Sequence, residues 1–250
     1  MSTAPRPRRA YLVGGWTNGP LAVLEADAAA AGVECHYVPV PTPPFGWRWL
    51  CTPWVPAAIA AFAVGHAVAD AAVTYFISRL RAPGEPPHAL AVTIVTFTLA
   101  VAVAWLPVRW CVYQTVRAAV RRGVDALKFA IDCATASDAD AESAVLVGFS
   151  WGGAVVSELL AGGDHVRSAL LLAPTVFAVA AFAGRNPRSF QPQQHGVTVV
   201  AVHPLYDPFC SAAQRAWLEA TGCDVVAVPD DHVLSRSAPR IRTALFSLLA

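Results

Sequence analysis

The sequence predicts an α/β fold: a mostly parallel, doubly wound sheet of about six strands, interrupted by an apolar two-helix insertion. Three observations carry this expectation. Short apolar runs alternate with helix-prone segments at both ends of the chain, the pattern of strands joined by crossover helices. One run, at 144–147, drives into Gly148-Phe149-Ser150-Trp151-Gly152 and then into a helix-like segment at 154–160. Between the two alternating regions lies a stretch of quite different composition, at 47–113.

The elements follow in order. Residues 1–10 are short, basic and proline-containing, without the apolar core of a signal peptide, and read as a disordered tail. A first strand is expected at 11–13, then a turn-rich loop, Gly14-Gly15-Trp16-Thr17-Asn18-Gly19-Pro20. An alanine-rich helix at 21–31 stops at Gly32, and a strand at 33–40 ends in prolines. After the insertion come a long helix at 112–135, the strand at 144–147, the helix after Ser150 and a strand at 168–172. A looser region at 174–196 could hold a small lid. A strand at 197–203, a helix at 212–221, a strand at 224–228 and a helix at 239–249 close the chain. The hydrophobic insertion at 47–113 therefore divides one domain into 11–46 and 114–250.

Residues 54–77 carry one formal charge, Asp70, and residues 89–108 carry none. Each is as long as the roughly 20 apolar residues that cross a bilayer core. A polar link with Arg79, Arg81 and Glu85 joins them, which predicts a transmembrane helical hairpin. Arg6, Arg8, Arg9 and Arg48 precede it, and Arg109, Arg117, Arg121, Arg122 and Lys128 follow it. That bias places both ends on the cytosolic side. His66 and Asp70, four apart on one helix face, are expected to form a hydrogen-bonded pair inside the hairpin rather than a metal site.

Composition agrees with membrane contact. Charged residues make up 14% and apolar residues 56% of the chain, and mean hydropathy is +0.47. A net charge of +1 gives no footprint for nucleic acid. Cys35, Cys51, Cys111, Cys133, Cys210 and Cys223 show neither a C-x-x-C pair nor zinc-finger spacing. They read as buried reduced thiols in a cytosol-facing compartment. No metal and no cofactor is expected.

The chemistry is expected at Ser150. Glycines two before and two after it allow backbone to pass close to a strained turn that lifts the hydroxyl off the sheet. A serine needs a base, and the base needs an orienting group. Asp207 lies in the loop after the strand at 197–203, and His232 lies after the last strand. In a parallel sheet these loops share one edge with Ser150. His203 and Asp231 are the nearest competitors. His203 lacks an acid in the right order, and Asp231 adjoins His232, so its side chain tends to point elsewhere.

The order Ser150, Asp207, His232 and the motifs GFSWGG, YDPF and DDH resemble the α/β-hydrolase superfamily, in particular its dienelactone-hydrolase-like and small serine esterase branches. The resemblance implies Ser150 as nucleophile, His232 as general base and then acid, and Asp207 as the group orienting the imidazole. It also implies an oxyanion hole from the backbone N–H of Trp151 and of Trp16, with Gly15 as the alternate. The family usually opens with two further strands, so this sheet is expected to be N-terminally abbreviated. Gly14 replaces that loop's customary His. The expected activity is hydrolysis of carboxylic esters or thioesters by a membrane-anchored enzyme whose substrate could be lipid-derived. The alternatives are acyl transfer with the same residues, or a catalytically silent membrane adaptor.

Overall fold

The computed structural model describes residues 8–43, 88–137, 144–163, 166–192 and 196–249, together with positions 64, 67, 71, 74 and 75. Six strands form one sheet: β1 (Arg8–Val13), β2 (Val33–Tyr37), β3 (Ala144–Phe149), β4 (Ser168–Leu172), β5 (Thr198–Pro204) and β6 (Asp224–Val228). The helices are α1 (Leu21–Ala30), α2 (His88–Ser137), α3 (Trp151–Ala161), α4 (Val176–Phe182), α5 (Ala212–Ala220) and α6 (Ala238–Leu249). The strand order is β2-β1-β3-β4-β5-β6, and every pairing is parallel.

Both faces of the sheet are buried, which explains why its central strands read as apolar runs rather than alternations. On one face Leu12, Val147 and Leu172 pack with Leu24 of α1 and Leu245 of α6. On the other, Val13, Leu146 and Leu171 pack with Leu127 of α2, Leu159 of α3 and Leu218 of α5. The sheet is therefore wound on both sides, as the alternating pattern predicts.

Several boundaries differ from expectation. β1 begins at Arg8, inside the segment read as a tail, because Ala10 is fully buried against the core and Arg9 pairs with Glu34 of β2. The helices expected at 89–108 and 112–135 are one continuous helix of 50 residues. Pro107 is the only breaker between them, and a lone proline kinks a helix without necessarily ending it. Of the described cysteines, Cys111, Cys210 and Cys223 are buried as expected, whereas Cys35 is partly exposed and Cys133 exposed; all five are free.

The chain divides into two compact units, 1–42 with 117–250 and 43–116. The transmembrane hairpin expected at 54–77 and 89–108 gains no support. Most of the first span, with His66 and Asp70, lies outside the described residues. Among the described residues, no helix is long and apolar enough to cross a membrane.

Candidate active site

β3 ends at Phe149, and Ser150 turns the chain into α3 with φ 55° and ψ −116°. A non-glycine residue rarely holds a positive φ, and the cost is on the order of 1–3 kcal/mol. Backbone bonds fix the turn from both sides. Ser150 N–H donates to the Leu172 carbonyl at 2.9 Å, and its carbonyl accepts from Ala154 and Thr175, each at 3.3 Å. The flanking glycines are sterically required. A Cβ on Gly152 would sit 2.1 Å from the Val13 carbonyl oxygen, and one on Gly148 would sit 2.7 Å from the Gly152 oxygen.

The three expected residues meet. His232 Nε2 lies 2.8 Å from Ser150 Oγ, and His232 Nδ1 lies 2.5 Å from Asp207 Oδ2. With the imidazole proton on Nδ1, the ring donates to Asp207 and Nε2 accepts from the serine hydroxyl. Ser150 and Asp207 are buried, while about a quarter (27%) of the His232 side chain is exposed. The rings of Phe149 and Phe209 flank the imidazole, with centroids 5.5 and 5.6 Å away.

Burial pushes the Asp207 carboxyl up. Hydrogen bonds from His232, from the Cys210 thiol and from Phe209 N–H, the last at 2.8 Å, outweigh it and hold the group below the ordinary carboxylate value. Two backbone bonds join the Asp207 loop to the His232 loop: Leu205 N–H to the Val228 carbonyl at 2.9 Å and Tyr206 N–H to that of Asp230 at 3.0 Å. Their relative position is thus set by main chain as well as by side chains.

The competitors stand aside. His203 is 1% exposed near the end of β5, and burial lowers its pKa. Neither of its ring nitrogens makes a hydrogen bond of good geometry, although the Ser211 backbone lies close enough to offset part of that lowering. Asp231 accepts from Val233 N–H at 3.0 Å, and the carboxylate on His232 Nδ1 is that of Asp207.

The residues of the expected oxyanion hole border the serine. Trp151 follows Ser150 directly, and its ring tilts against that of Trp16 with centroids 6.1 Å apart. Gly15 is so close that an added Cβ would lie 2.9 Å from Ser150 Cβ and 3.2 Å from its Oγ. Its N–H is already engaged with the Thr17 carbonyl at 3.2 Å, which disfavours Gly15 as the second donor.

Two contributors carried no sequence signal. Asp230 is 3% exposed, and its oxygens accept from Asp231 N–H, Arg236 N–H and the Ser237 hydroxyl at 2.9, 2.9 and 2.8 Å. It thereby closes the loop that carries His232. Gln214, fully buried on α5, accepts from Phe177 N–H at 3.0 Å and donates to the Pro174 carbonyl at 2.5 Å. That brace holds the loop after β4, whose Thr175 touches the Ser150 backbone. The Gln214 bonds span 37 and 40 positions in sequence, where no local motif is visible, and the Asp230 bonds lie in a loop without a regular period.

Asp207, Cys210 and His232 place one ligand atom each within 4.8 Å of one another, the grouping of this kind found among the described residues. The set is poorly suited to a metal. Asp207 and His232 are spent on each other, and burial with the neighbouring Asp207 carboxylate pushes the Cys210 thiol far up, keeping it protonated.

Sheet order and the strand-turn-helix at Ser150 fit the α/β-hydrolase fold, with the hydrogen-bonded Ser150, His232 and Asp207 at the C-terminal edge of the strands. Solved structures agree on the fold. A Klebsiella pneumoniae protein designated a dienelactone hydrolase aligns over 99% of this chain and 88% of its own, with TM-score 0.54 at 12% identity. Est1E of Butyrivibrio proteoclasticus, solved with ferulic acid bound, aligns over 97% and 89%, with TM-score 0.53 at 10% identity. A protein of Agrobacterium vitis designated a hydrolase aligns over 97% and 88%, with TM-score 0.51 at 16% identity. No protein-family model and no curated protein matches the sequence.

Proposed function

We propose that this chain is a serine hydrolase that cleaves carboxylic esters or thioesters through an acyl-enzyme. The observation that carries the reading is the continuous hydrogen-bonded chain from Ser150 Oγ through His232 to Asp207, at 2.8 and 2.5 Å. His232 Nε2 takes the hydroxyl proton as Ser150 attacks the acyl carbon, and Asp207 stabilises the imidazolium that forms. The carbonyl oxygen, now negative, is held by the N–H groups of Trp151 and Trp16. His232 then gives its proton to the leaving alcohol or thiol. In the second half a water, deprotonated by His232, releases the acid and restores the serine. One oxyanion donor is worth about 10²–10³ in rate, so the Trp16 loop matters as much as the elbow. A complete, correctly ordered chain speaks against the silent adaptor.

The surroundings favour an apolar acyl or alcohol group. Trp16, Leu205, Tyr206, Phe209 and Val233 are each about half exposed or more, and all lie on the three loops that bear the site. Membrane association with the catalytic unit on the cytosolic side rests on the sequence alone, on the charge-free run at 89–108 and the basic residues on either side of the insertion. Lipid-derived esters fit both features.

Labelling with a fluorophosphonate probe is the test. The wild-type chain should label and Ser150→Ala should not, and an unlabelled wild type defeats the proposal. Alkaline carbonate extraction tests the membrane reading separately: release of the chain into the supernatant overturns it.

A further inference from the structure

β2 forms one edge of the sheet, and among the described residues no strand covers its outer side. Val38 N–H donates inward to the Leu12 carbonyl of β1 at 3.0 Å. Successive residues of a strand turn their N–H and C=O groups to opposite sides, so Glu34 and His36 share the inward direction. Val33, Cys35 and Tyr37 therefore present theirs to the open edge. Such an edge is a template for another strand unless something blunts it, and this one carries neither proline nor lysine.

The sequence of β2, Val-Glu-Cys-His-Tyr, is complementary to itself in one antiparallel register. Centred on Cys35, that register sets Val33 opposite Tyr37 of a second copy, Cys35 opposite Cys35 of the second copy, and Glu34 opposite His36 of the second copy. The three outward-facing residues then meet as the pairs that exchange both N–H···O bonds. Glu34 and His36 fall at the closer, non-bonded positions, where a carboxylate can accept the N–H of the imidazole directly across the ladder. A one-residue slip would lose both features.

The face beside the strand also invites cover. A cavity of about 600 Å³ opens there, lined by Arg9, Tyr11, His36, Tyr37, Phe129 and Cys133. The Phe129 ring is 71% exposed and Tyr37 39%. Within one chain Glu34 already holds His36 at 3.1 Å and Arg9 at 3.2 Å. The pairing would thus join two such clusters across a two-fold axis, each carboxylate gaining a second imidazole.

We infer that two copies of this chain associate through antiparallel β2–β2 pairing centred on Cys35, forming a continuous twelve-stranded sheet from two six-stranded ones. The contact is isologous, as closed two-fold dimers require. Because β2 is the sheet edge remote from Asp207 and His232, the inference stands or falls independently of the catalytic reading.

The test is the mass of the full chain by size-exclusion chromatography with light scattering, at concentrations up to about 100 µM, a range in which specific dimers of micromolar affinity form. Wild type should run as a dimer. Cys35→Pro should be monomeric with unchanged circular dichroism, because the Cys35 N–H faces outward and the internal ladder does not use it. Glu34→Lys should weaken association at least tenfold, and the double exchange Glu34→His with His36→Glu should restore it by reversing each pair. A short bis-maleimide should link Cys35 to Cys35, with the linkage retained in Cys133→Ala. A monomeric wild type, or a dimer that survives Cys35→Pro, overturns the inference. Should Cys35→Pro fail to fold, Glu34→Lys without rescue by the double exchange overturns it equally.

Discussion

Replacing Asp230 by alanine tests the claim that the position of His232 is set from two residues away. The carboxylate accepts two backbone N–H groups and one hydroxyl, all between 2.8 and 2.9 Å, from a site only 3% exposed. Hydrogen bonds to a charged acceptor contribute about 1.5–3 kcal/mol each, but Arg236 N–H and Ser237 can regain part of that from water once the loop opens. A net loss of about 2–4 kcal/mol follows. For a chain of this length that lowers the thermal midpoint by roughly 5–15 °C. The loop also holds Leu234 at φ 54°, a conformation with no local reason to persist once its closing bonds are gone. His232 should then drift, and a misplacement of about 1 Å costs on the order of 10²-fold in rate. The assay is kcat/KM on a p-nitrophenyl ester beside a thermal melt. Asp230→Asn keeps one oxygen for Arg236 and Ser237 and should lose about half as much stability. The reasoning fails if Asp230→Ala melts within a degree of wild type and keeps kcat/KM within about twofold.

Three further outcomes follow from the same geometry. Gly152→Ala drives a Cβ to 2.1 Å from the Val13 carbonyl oxygen, where backbone cannot yield, so the unfolding free energy from urea titration should drop by about 3–5 kcal/mol. Asp207 and Asp230 both keep folded pKa values below the ordinary carboxylate, so the unfolded chain binds more protons in acid. Their stabilisation should be complete above about pH 4 and fade as the pH falls through the folded values, and Asp230→Asn should flatten that acid limb in urea titrations. Leu205→Ser with Tyr206→Ser should raise KM for a decanoyl ester about tenfold or more while sparing an acetyl ester, since each exposed side chain can bury apolar chain. Equal effects on both esters would remove the apolar-substrate reading.

The parts of the fold legible in sequence are those whose signals are local. Six strands and their order of helices follow from apolar runs punctuated by glycine, and the elbow follows from five residues around Ser150. Asp207 and His232 could be located because each lies just beyond a strand whose end the pattern marks. The start of β1 was illegible because Arg8 and Arg9 resemble a tail until Glu34, brought alongside by the register, supplies a partner. Asp230 was illegible for a different reason. Its three donors come from a loop with no regular period, so nothing in the spelling Asp230-Asp231-His232 shows which carboxylate is buried. Gln214 reads as an ordinary helical polar residue until Phe177 and Pro174, about 40 positions earlier, are found beside it.

The supports of the Ser-His-Asp chain all lie away from the β2 edge of the sheet. The geometry at Ser150 depends on Leu172 of β4, Val13 of β1 and the turn at Thr175. Asp207 and His232 depend on β5, β6 and the bonds between their loops. Every one of those supports lies among β1 and β3 to β6. β2 supplies none of them directly, and strands beyond it would lie farther away still. Among the described residues β2 is an open edge of the sheet, and no distance within the Ser-His-Asp chain is set there. Substitutions on the outer side of β2 should accordingly alter oligomeric mass without changing kcat on a soluble ester. A β2 edge variant that stays folded yet loses most of its kcat would contradict this division of labour.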